Sequence, residues 1–146
     1  MVFKENFRDI SSFGGLPLYI VMMLVFLLIG IYDIFYQLLF GLGVIYVMFF
    51  GVRSIYFKER PKKQKFKNWL QKIDANSFPS AHVLRATVLG IIIANFLSNV
   101  YVSLIILIVV ILTGFSRVKL RQHFWNDVIF GWIFGFVIGV LSVKFF

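Results

Sequence analysis

Residues 86–116 read ATVLGIIIANFLSNVYVSLIILIVVILTGFS and contain no charged side chain. A helix needs about 20 apolar residues to cross the hydrocarbon core of a bilayer, so this stretch is longer than one span needs. Its middle holds the turn-forming pair Ser98 and Asn99. The stretch therefore predicts two transmembrane helices, near residues 80–97 and 100–115, joined by a tight turn.

Three further charge-free or nearly charge-free stretches flank this pair, at residues 16–31, 34–52 and 124–146, and Asp33 separates the first two. The chain is 60% hydrophobic with a mean hydropathy of +0.91, which is typical of an integral membrane protein. We therefore predict an all-α membrane bundle of about five transmembrane helices. Glycines recur at every fourth residue of the last span, at Gly131, Gly135 and Gly139. Such a stripe favours close helix packing.

The rest of the chain is more polar. Residues 1–12 mix charges with large apolar side chains and lack the pattern of a cleavable signal peptide, so we predict an interfacial helix there. Residues 53–79 form a polar loop on the same side of the membrane. The whole chain, residues 1–146, is predicted to be one membrane domain.

The net charge is +9, and five spans place every Lys and Arg except Lys144 on one membrane face. In a membrane protein this charge indicates anionic headgroups or a phosphate-bearing substrate rather than nucleic acid. The Lys/Arg bias predicts that this face is cytoplasmic. There is no cysteine, which excludes disulfides and thiolate metal sites.

The only two histidines both lie on the basic face. His123 precedes Asp127 by four residues, so on a helix the carboxylate could accept a hydrogen bond from the ring and fix its tautomer. A carboxylate that begins a membrane helix favours a functional interpretation. The alternative is a surface pair at a helix start, where aspartate is favoured by the helix dipole.

The second histidine, His82, follows Pro79, Ser80 and Ala81 at the predicted start of a span. Ser80 and the backbone N–H groups of Ala81 and His82 could form an anion cradle at the helix N-terminus. His82 could donate a proton to a leaving oxygen. The alternative is an N-cap serine next to an incidental interfacial histidine.

Three arginines, Arg53, Arg60 and Arg117, accompany these motifs. Guanidinium groups bind phosphate oxygens through paired hydrogen bonds and keep their charge. The alternative is ordinary positive charge flanking membrane spans, which we prefer for the lysines between residues 62 and 72.

Together the motifs resemble the signature of the type 2 phosphatidic acid phosphatase superfamily, over roughly residues 34–146. The chain carries, in order, Arg53-x6-Arg60-Pro61, Pro79-Ser80-Ala81-His82 and Ser116-Arg117-x5-His123-x3-Asp127. Arg53 stands where the family usually has lysine, and Ala81 stands where glycine is commonest. The chain has one span fewer than the usual six, and residues 1–12 could stand in for the missing first helix.

The resemblance implies that His123 attacks phosphorus, Asp127 orients it, and His82 protonates the leaving group and then activates water. It implies that Arg53, Arg60, Ser80 and Arg117, with the backbone near Ala81, hold the phosphate oxygens. It implies no metal and no other cofactor, which agrees with the scarcity of metal-ligating residues in the sequence.

The expected substrate is a membrane lipid phosphate, and the compactness of the chain favours a polyprenyl diphosphate. Phosphatidate or phosphatidylglycerophosphate, and a lipid phosphotransferase reaction, are alternatives within the enzyme class. Outside it, the alternative is a non-catalytic membrane protein that binds anionic lipid. The expected location is the plasma membrane, and the family more often places its site on the outer face, against the charge bias.

Overall fold

The computed structural model describes residues 2–62 and 67–146, and the side chains of 7–62, 67–69 and 71–146. The described residues form seven helices: α1 (Val2–Ser12), α2 (Leu16–Ile29), α3 (Tyr32–Ile55), α4 (Trp69–Ala75), α5 (Ala81–Leu97), α6 (Val100–Lys119) and α7 (Trp125–Phe145). The prediction of an all-α membrane bundle is confirmed. Met1 and residues 63–66 of the predicted polar loop lie outside the described residues.

Helices α3, α6 and α7 are long and apolar enough to cross a membrane, with mean hydropathies of 2.0, 2.2 and 2.1. Helices α2 and α5 are also apolar but have 14 and 17 residues. At 1.5 Å per residue they measure about 21 and 26 Å, less than a hydrocarbon core of about 30 Å. The integral membrane fold is therefore clear, whereas the count of five full spans stays a prediction.

The predicted turn between α5 and α6 is confirmed. Ser98 ends α5 in the left-handed conformation, with φ 46°, and the side chain of Asn99 accepts the backbone N–H groups of Tyr101 and Val102. Asparagine is a strong N-cap because its side-chain oxygen satisfies N–H groups that have no partner in the first turn. The charge-free stretch therefore divides at this cap.

Other predicted boundaries were wrong by a few residues. Asp33 lies in the first turn of α3 and does not interrupt the chain; Gly30, with φ 85°, ends α2 instead. The last turns of α3 and α6 extend into polar sequence, so Arg53 and Arg117 are helical. Charged side chains at a helix end can reach the membrane surface, so charge does not mark where such a helix stops. The sequence also did not predict α4 within the polar loop.

Helix α5 lies at the centre of the bundle and packs most extensively against α7. A Cβ added at Gly135 would lie 2.7 Å from Cβ of Thr87, and one at Gly139 would lie 2.9 Å from Cδ1 of Ile91. The glycines of α7 therefore allow the close approach that the stripe predicts. This contact brings the first turns of α5 and α7 together.

Helix α1 packs against α6, and Ser11 at its end is buried. The chain then passes close to the start of α5, where a Cβ added at Gly14 would lie 2.2 Å from the carbonyl oxygen of His82. Residues 2–12 are thus helical, as predicted, and the turn that follows them packs against the start of α5.

Candidate active site

One cavity of about 490 Å³ brings the predicted motifs together. Both histidines and all three predicted arginines contribute to its wall: His82, His123, Arg53, Arg60 and Arg117. Ala81 also lines it, whereas Ser80 and Asp127 are fully buried behind the wall. Residues from α3, the polar loop, α5, α6 and the α6–α7 connection therefore meet at one place.

His123 lies in the connection between α6 and α7 and is 2% exposed. Its Nδ1 lies 2.7 Å from the backbone carbonyl oxygen of Ser77. A carbonyl can only accept a hydrogen bond, so Nδ1 carries the proton and Nε2 keeps its lone pair. Burial, with the nearby positive charges of Arg117 and Arg60, holds the pKa of His123 well below its usual range. The ring is therefore neutral near pH 7.

The direct hydrogen bond expected between Asp127 and His123 is wrong. Oδ2 of Asp127 is 3.9 Å from Nδ1 of His123, beyond hydrogen-bond distance. The four-residue spacing places two side chains on one face only if both residues are helical, and α7 begins at Trp125, after the histidine. The hydroxyl of Ser77 donates to Oδ2 of Asp127 instead. Ser77 thus links the carboxylate to the residue that holds the ring.

Two other donors fix Asp127. Nζ of Lys58 lies 2.6 Å from Oδ1, and the backbone N–H of Phe124 donates to Oδ2 at 2.8 Å. The backbone N–H of Ser77 also donates to the carbonyl of Lys58, at 2.8 Å. These bonds join the polar loop to the start of α7 around the carboxylate.

Sequence reasoning missed Lys58 and Ser77. Lys58 lies between Arg53 and Arg60, and Ser77 two residues before Pro79, so closeness to the motifs was the available signal. That signal is weak, because serine and lysine are common in polar loops. Only the structure shows that Ser77 and Lys58 contact Asp127, at sequence separations of 50 and 69 residues.

The start of α5 is held against α7. The backbone N–H of Ser80 donates to the carbonyl of Asp127 at 3.2 Å, and the Ser80 hydroxyl oxygen is buried without a protein partner. His82 lies in the first turn of α5, partly exposed to the cavity. The N-terminus of α5 therefore lies beside both histidines, which is the geometry that an anion cradle requires.

Arg53 differs from the simple expectation of a phosphate ligand. Its Nη1 donates to the carbonyls of Ile73 (2.8 Å) and Asp74 (3.3 Å), and its Nη2 donates to that of Pro79 (2.8 Å). The guanidinium also stacks on the ring of Phe49, 3.6 Å from its centroid. Most of its donors are thus used to hold α3 against the residues that precede α5.

Arg60 and Arg117 have fewer protein partners. Arg60 donates to Oε1 of Gln122 at 3.2 Å and to the carbonyl of Asp74 at 2.6 Å. Arg117 donates to Oγ of Ser11 at 2.8 Å. Burial lowers the pKa of Arg60 from its usual value, yet an arginine stays charged at neutral pH. Both guanidinium groups face the cavity with donors to spare.

Among the described side chains, five polar atoms are buried without a partner. Four of them belong to residues singled out from the sequence: Nε of Arg53, Nε of Arg60, Oγ of Ser80 and Nε of Arg117. Buried polar groups are rarely left unsatisfied, so each such group needs an explanation. Donors without a partner around one cavity fit an anionic ligand that accepts from several directions.

Arg85 is a further cavity residue that sequence reasoning missed. It is 8% exposed, lines the cavity, and donates from Nε to the carbonyl of Gly14 at 3.0 Å. Its position three residues after His82 was visible in the sequence, since residues three apart share a helix face.

A second cavity of about 570 Å³ shares His82 and Arg117 with the first and lies beside α1 and α2.

In the part of the chain that the structure describes, no three His, Cys, Asp or Glu side chains are grouped to hold a metal ion. Metal independence itself stays a prediction, to be tested with a chelator.

The sequence profile of the PAP2 superfamily matches residues 54–146 of the chain. The chain belongs to the PAP2 superfamily. This confirms the resemblance drawn from the three motifs, although Arg53 and the helices before it lie outside the matched PAP2 region. No curated protein matches the chain in sequence.

Two solved structures extend the likeness to the remaining helices. The crystal structure of LpxE from Aquifex aeolicus matches with a TM-score of 0.81 at 19% identity, covering 98% of this chain and 86% of that one. The first transmembrane PAP2-type phosphatidylglycerolphosphate phosphatase from Bacillus subtilis matches with a TM-score of 0.76 at 22% identity, covering 98% and 76%. At these identities the matches show a shared fold, including α1 to α3 of this PAP2 protein.

Proposed function

We propose that this PAP2 protein is an integral membrane lipid phosphatase that works through a phospho-histidine and prefers a polyprenyl diphosphate. The observation that carries the proposal is the convergence of two histidines and three arginines, from motifs far apart in sequence, on one cavity. A histidine held with its lone pair free, beside arginines with unused donors, suits attack on a bound phosphate.

In the first step, the lone pair on Nε2 of His123 attacks phosphorus. The bond between phosphorus and the leaving oxygen breaks, and its electron pair goes to that oxygen. His82 supplies a proton to the leaving oxygen where the group needs one, as an alkoxide does. The carbonyl of Ser77 supports the positive charge that develops on the His123 ring, and Asp127 holds Ser77 in position by accepting a hydrogen bond from its hydroxyl.

In the second step, water attacks the phosphorus of the phospho-histidine. His82 accepts the proton from water, the bond between phosphorus and Nε2 breaks, and its electron pair returns to His123. Inorganic phosphate leaves with the oxygen of water, so atoms and charge balance. A phosphotransferase would use the same intermediate with an alcohol in place of water.

The phosphate oxygens are held by Arg60 and Arg117, with the backbone near Ala81 at the N-terminus of α5. The buried Ser80 hydroxyl, which has no protein partner, is a further donor once a phosphate is bound. Arg53 contributes its remaining donors and also holds α3 against the loop before α5. Fixed donors of this kind stabilise the charge that shifts onto the equatorial oxygens in the transition state. No step requires a metal ion.

A lipid substrate is supported by the position of the cavity at one end of a membrane bundle and by apolar side chains in its wall, among them Ile45 and Phe50. The second candidate substrate is phosphatidylglycerophosphate or phosphatidate. It is favoured by the structural match to a phosphatase from Bacillus subtilis named for phosphatidylglycerolphosphate.

The proposal is tested by phosphate release from detergent-purified protein in excess chelator. A polyprenyl diphosphate, a polyprenyl monophosphate, phosphatidylglycerophosphate and phosphatidate are compared, with His123→Ala beside the wild type and Ser103→Ala as a matched control on the opposite membrane side. We expect metal-independent release by the wild type and the control, abolished in His123→Ala. Release that persists in His123→Ala would refute the mechanism. No release from any lipid would favour the phosphotransferase or a non-catalytic lipid-binding protein.

We further propose, from the Lys/Arg bias, that the site faces the cytoplasm of a plasma-membrane protein. Because the chain has no cysteine, a single cysteine introduced at Lys62 or at Asn99 is the only thiol of the protein that can be labelled. We expect an impermeant maleimide to label position 99 but not position 62 in intact cells. Labelling at 62 alone would place the site outside, as is commoner in the family.

A further inference from the structure

Arg85 lies one helical turn farther into the bundle than His82. The two residues share a face of α5, and at 1.5 Å per residue their Cα atoms are about 4.5 Å apart along the helix axis. Because α5 starts at Ala81 beside the histidines and runs toward the opposite membrane side, Arg85 is on the tail side of the phosphate-binding residues. Both side chains line the same cavity.

A neutral oxygen holds Arg85 in place. Its Nε donates to the backbone carbonyl of Gly14 at 3.0 Å. This carbonyl does not neutralise the charge of the guanidinium. An arginine inside a membrane helix is energetically unfavourable unless it pairs with a group of opposite charge, so it normally marks a functional site. The cation faces a cavity that already suits one phosphate.

Arg53, near the end of α3, donates to the carbonyl of Pro79 just before α5. Ile45 and Tyr46 line the same cavity about two helical turns earlier on α3, so they lie farther from the histidines. By helix position, the order is thus the nucleophile with Arg60 and Arg117, then Arg85, then an apolar and aromatic surface. A lipid that matches this order has a terminal phosphate, a second anion and a hydrocarbon chain.

We propose that Arg85 binds a second phosphate, located between the scissile phosphate and the lipid tail, and so selects lipids with two phosphates over lipids with one. This inference rests on the proposed phosphatase function. In a diphosphate the breaking bond leaves its electron pair on an oxygen of this second phosphate. A guanidinium at that position stabilises the leaving group as well as the bound substrate.

The second phosphate could be joined to the first directly, as in a prenyl diphosphate, or through glycerol, as in phosphatidylglycerophosphate. Two matched pairs of substrates separate these cases. Farnesyl diphosphate and farnesyl phosphate share one tail, and phosphatidylglycerophosphate and phosphatidate share another. Within each pair, kcat/KM is measured for the wild type, Arg85→Gln and Arg85→Lys, with Lys119→Gln as a control that removes an exposed charge on the same membrane side.

We expect Arg85→Gln to lower the ratio of kcat/KM for the two-phosphate lipid over its one-phosphate partner by about 10- to 100-fold, the effect of losing one charge-assisted interaction. Lys119→Gln should leave the ratio unchanged, and Arg85→Lys should retain part of it. Because each ratio is taken within one protein sample, a reduced folded fraction cancels. The pair in which the ratio falls identifies the linkage between the phosphates.

An Arg85→Gln enzyme whose ratio equals that of the wild type in both pairs would overturn the proposal and assign Arg85 to packing. If the glutamine variant does not fold, the wild type still provides a test, since a higher kcat/KM for the one-phosphate lipid in both pairs would also overturn it. A wild type that hydrolyses none of the four lipids would instead refute the phosphatase function, a distinguishable result.

Discussion

The hydrogen bonds around His123 make Ser77 the residue whose substitution tests how Asp127 supports the ring. Its hydroxyl donates to Oδ2 of Asp127 and its carbonyl accepts from Nδ1 of His123, so the hydrogen bonds that connect the carboxylate to the ring run through this residue. Ser77→Ala removes the hydroxyl and leaves the carbonyl. A hydrogen bond to a charged group contributes about 1.5–3 kcal/mol. Asp127 keeps Lys58 and the N–H of Phe124 as donors, so the lower end applies, and about 1.5 kcal/mol corresponds to roughly a tenfold lower kcat.

The assay is steady-state phosphate release, with Ser103→Ala as the control because Ser103 bonds only locally to the carbonyl of Asn99. KM should change little, since Ser77 does not line the cavity. In an Asp127→Asn background the further effect of Ser77→Ala should shrink to less than about threefold, because the two groups act as one unit. A kcat within about twofold of the wild type, with a large loss in Asp127→Asn, would show that the aspartate contacts the ring directly and would refute this reasoning.

Three other predictions follow from the same contacts. The 15N spectrum of the imidazoles should show His123 neutral with its proton on Nδ1 at pH 6, because burial lowers its pKa. The unfolded chain takes up a proton at this histidine and the folded ring does not. The free energy of unfolding should therefore fall as the pH drops below about 6.5. A charged ring at pH 6 would contradict this. Lys58→Met should lower the free energy of unfolding by about 2 kcal/mol, since it leaves a fully buried carboxylate without its cation; an unchanged denaturation temperature in detergent would argue against the pair. Gly135→Val should prevent recovery of folded protein, because even a Cβ would meet α5 at 2.7 Å, whereas Gly43→Ala, which meets nothing within 4 Å, should be recovered normally.

Much of the fold could be predicted because a bilayer leaves few alternatives. Charge-free stretches long enough to cross it must form helices, since backbone groups in hydrocarbon have to bond within their own segment. The turn at Ser98 and Asn99 was predictable for a local reason, the capping chemistry of serine and asparagine. Helix ends near Arg53 and Arg117 were not, because long basic side chains extend to the membrane surface from inside a helix.

The sequence by itself determined the class of membrane fold and the PAP2 motifs, because these depend on residue type and spacing, and the motifs singled out the candidate site residues. Only the tertiary structure decided how those groups are held. Asp127 is hydrogen-bonded to Ser77 and Lys58 rather than to His123, Arg53 donates to backbone carbonyls, and Arg85 faces the same cavity as the histidines. Each of these contacts joins residues from separate helices or loops. Their distances depend on how the close packing of α5 against α7 orients the connecting segments. No local pattern in the chain encodes that orientation.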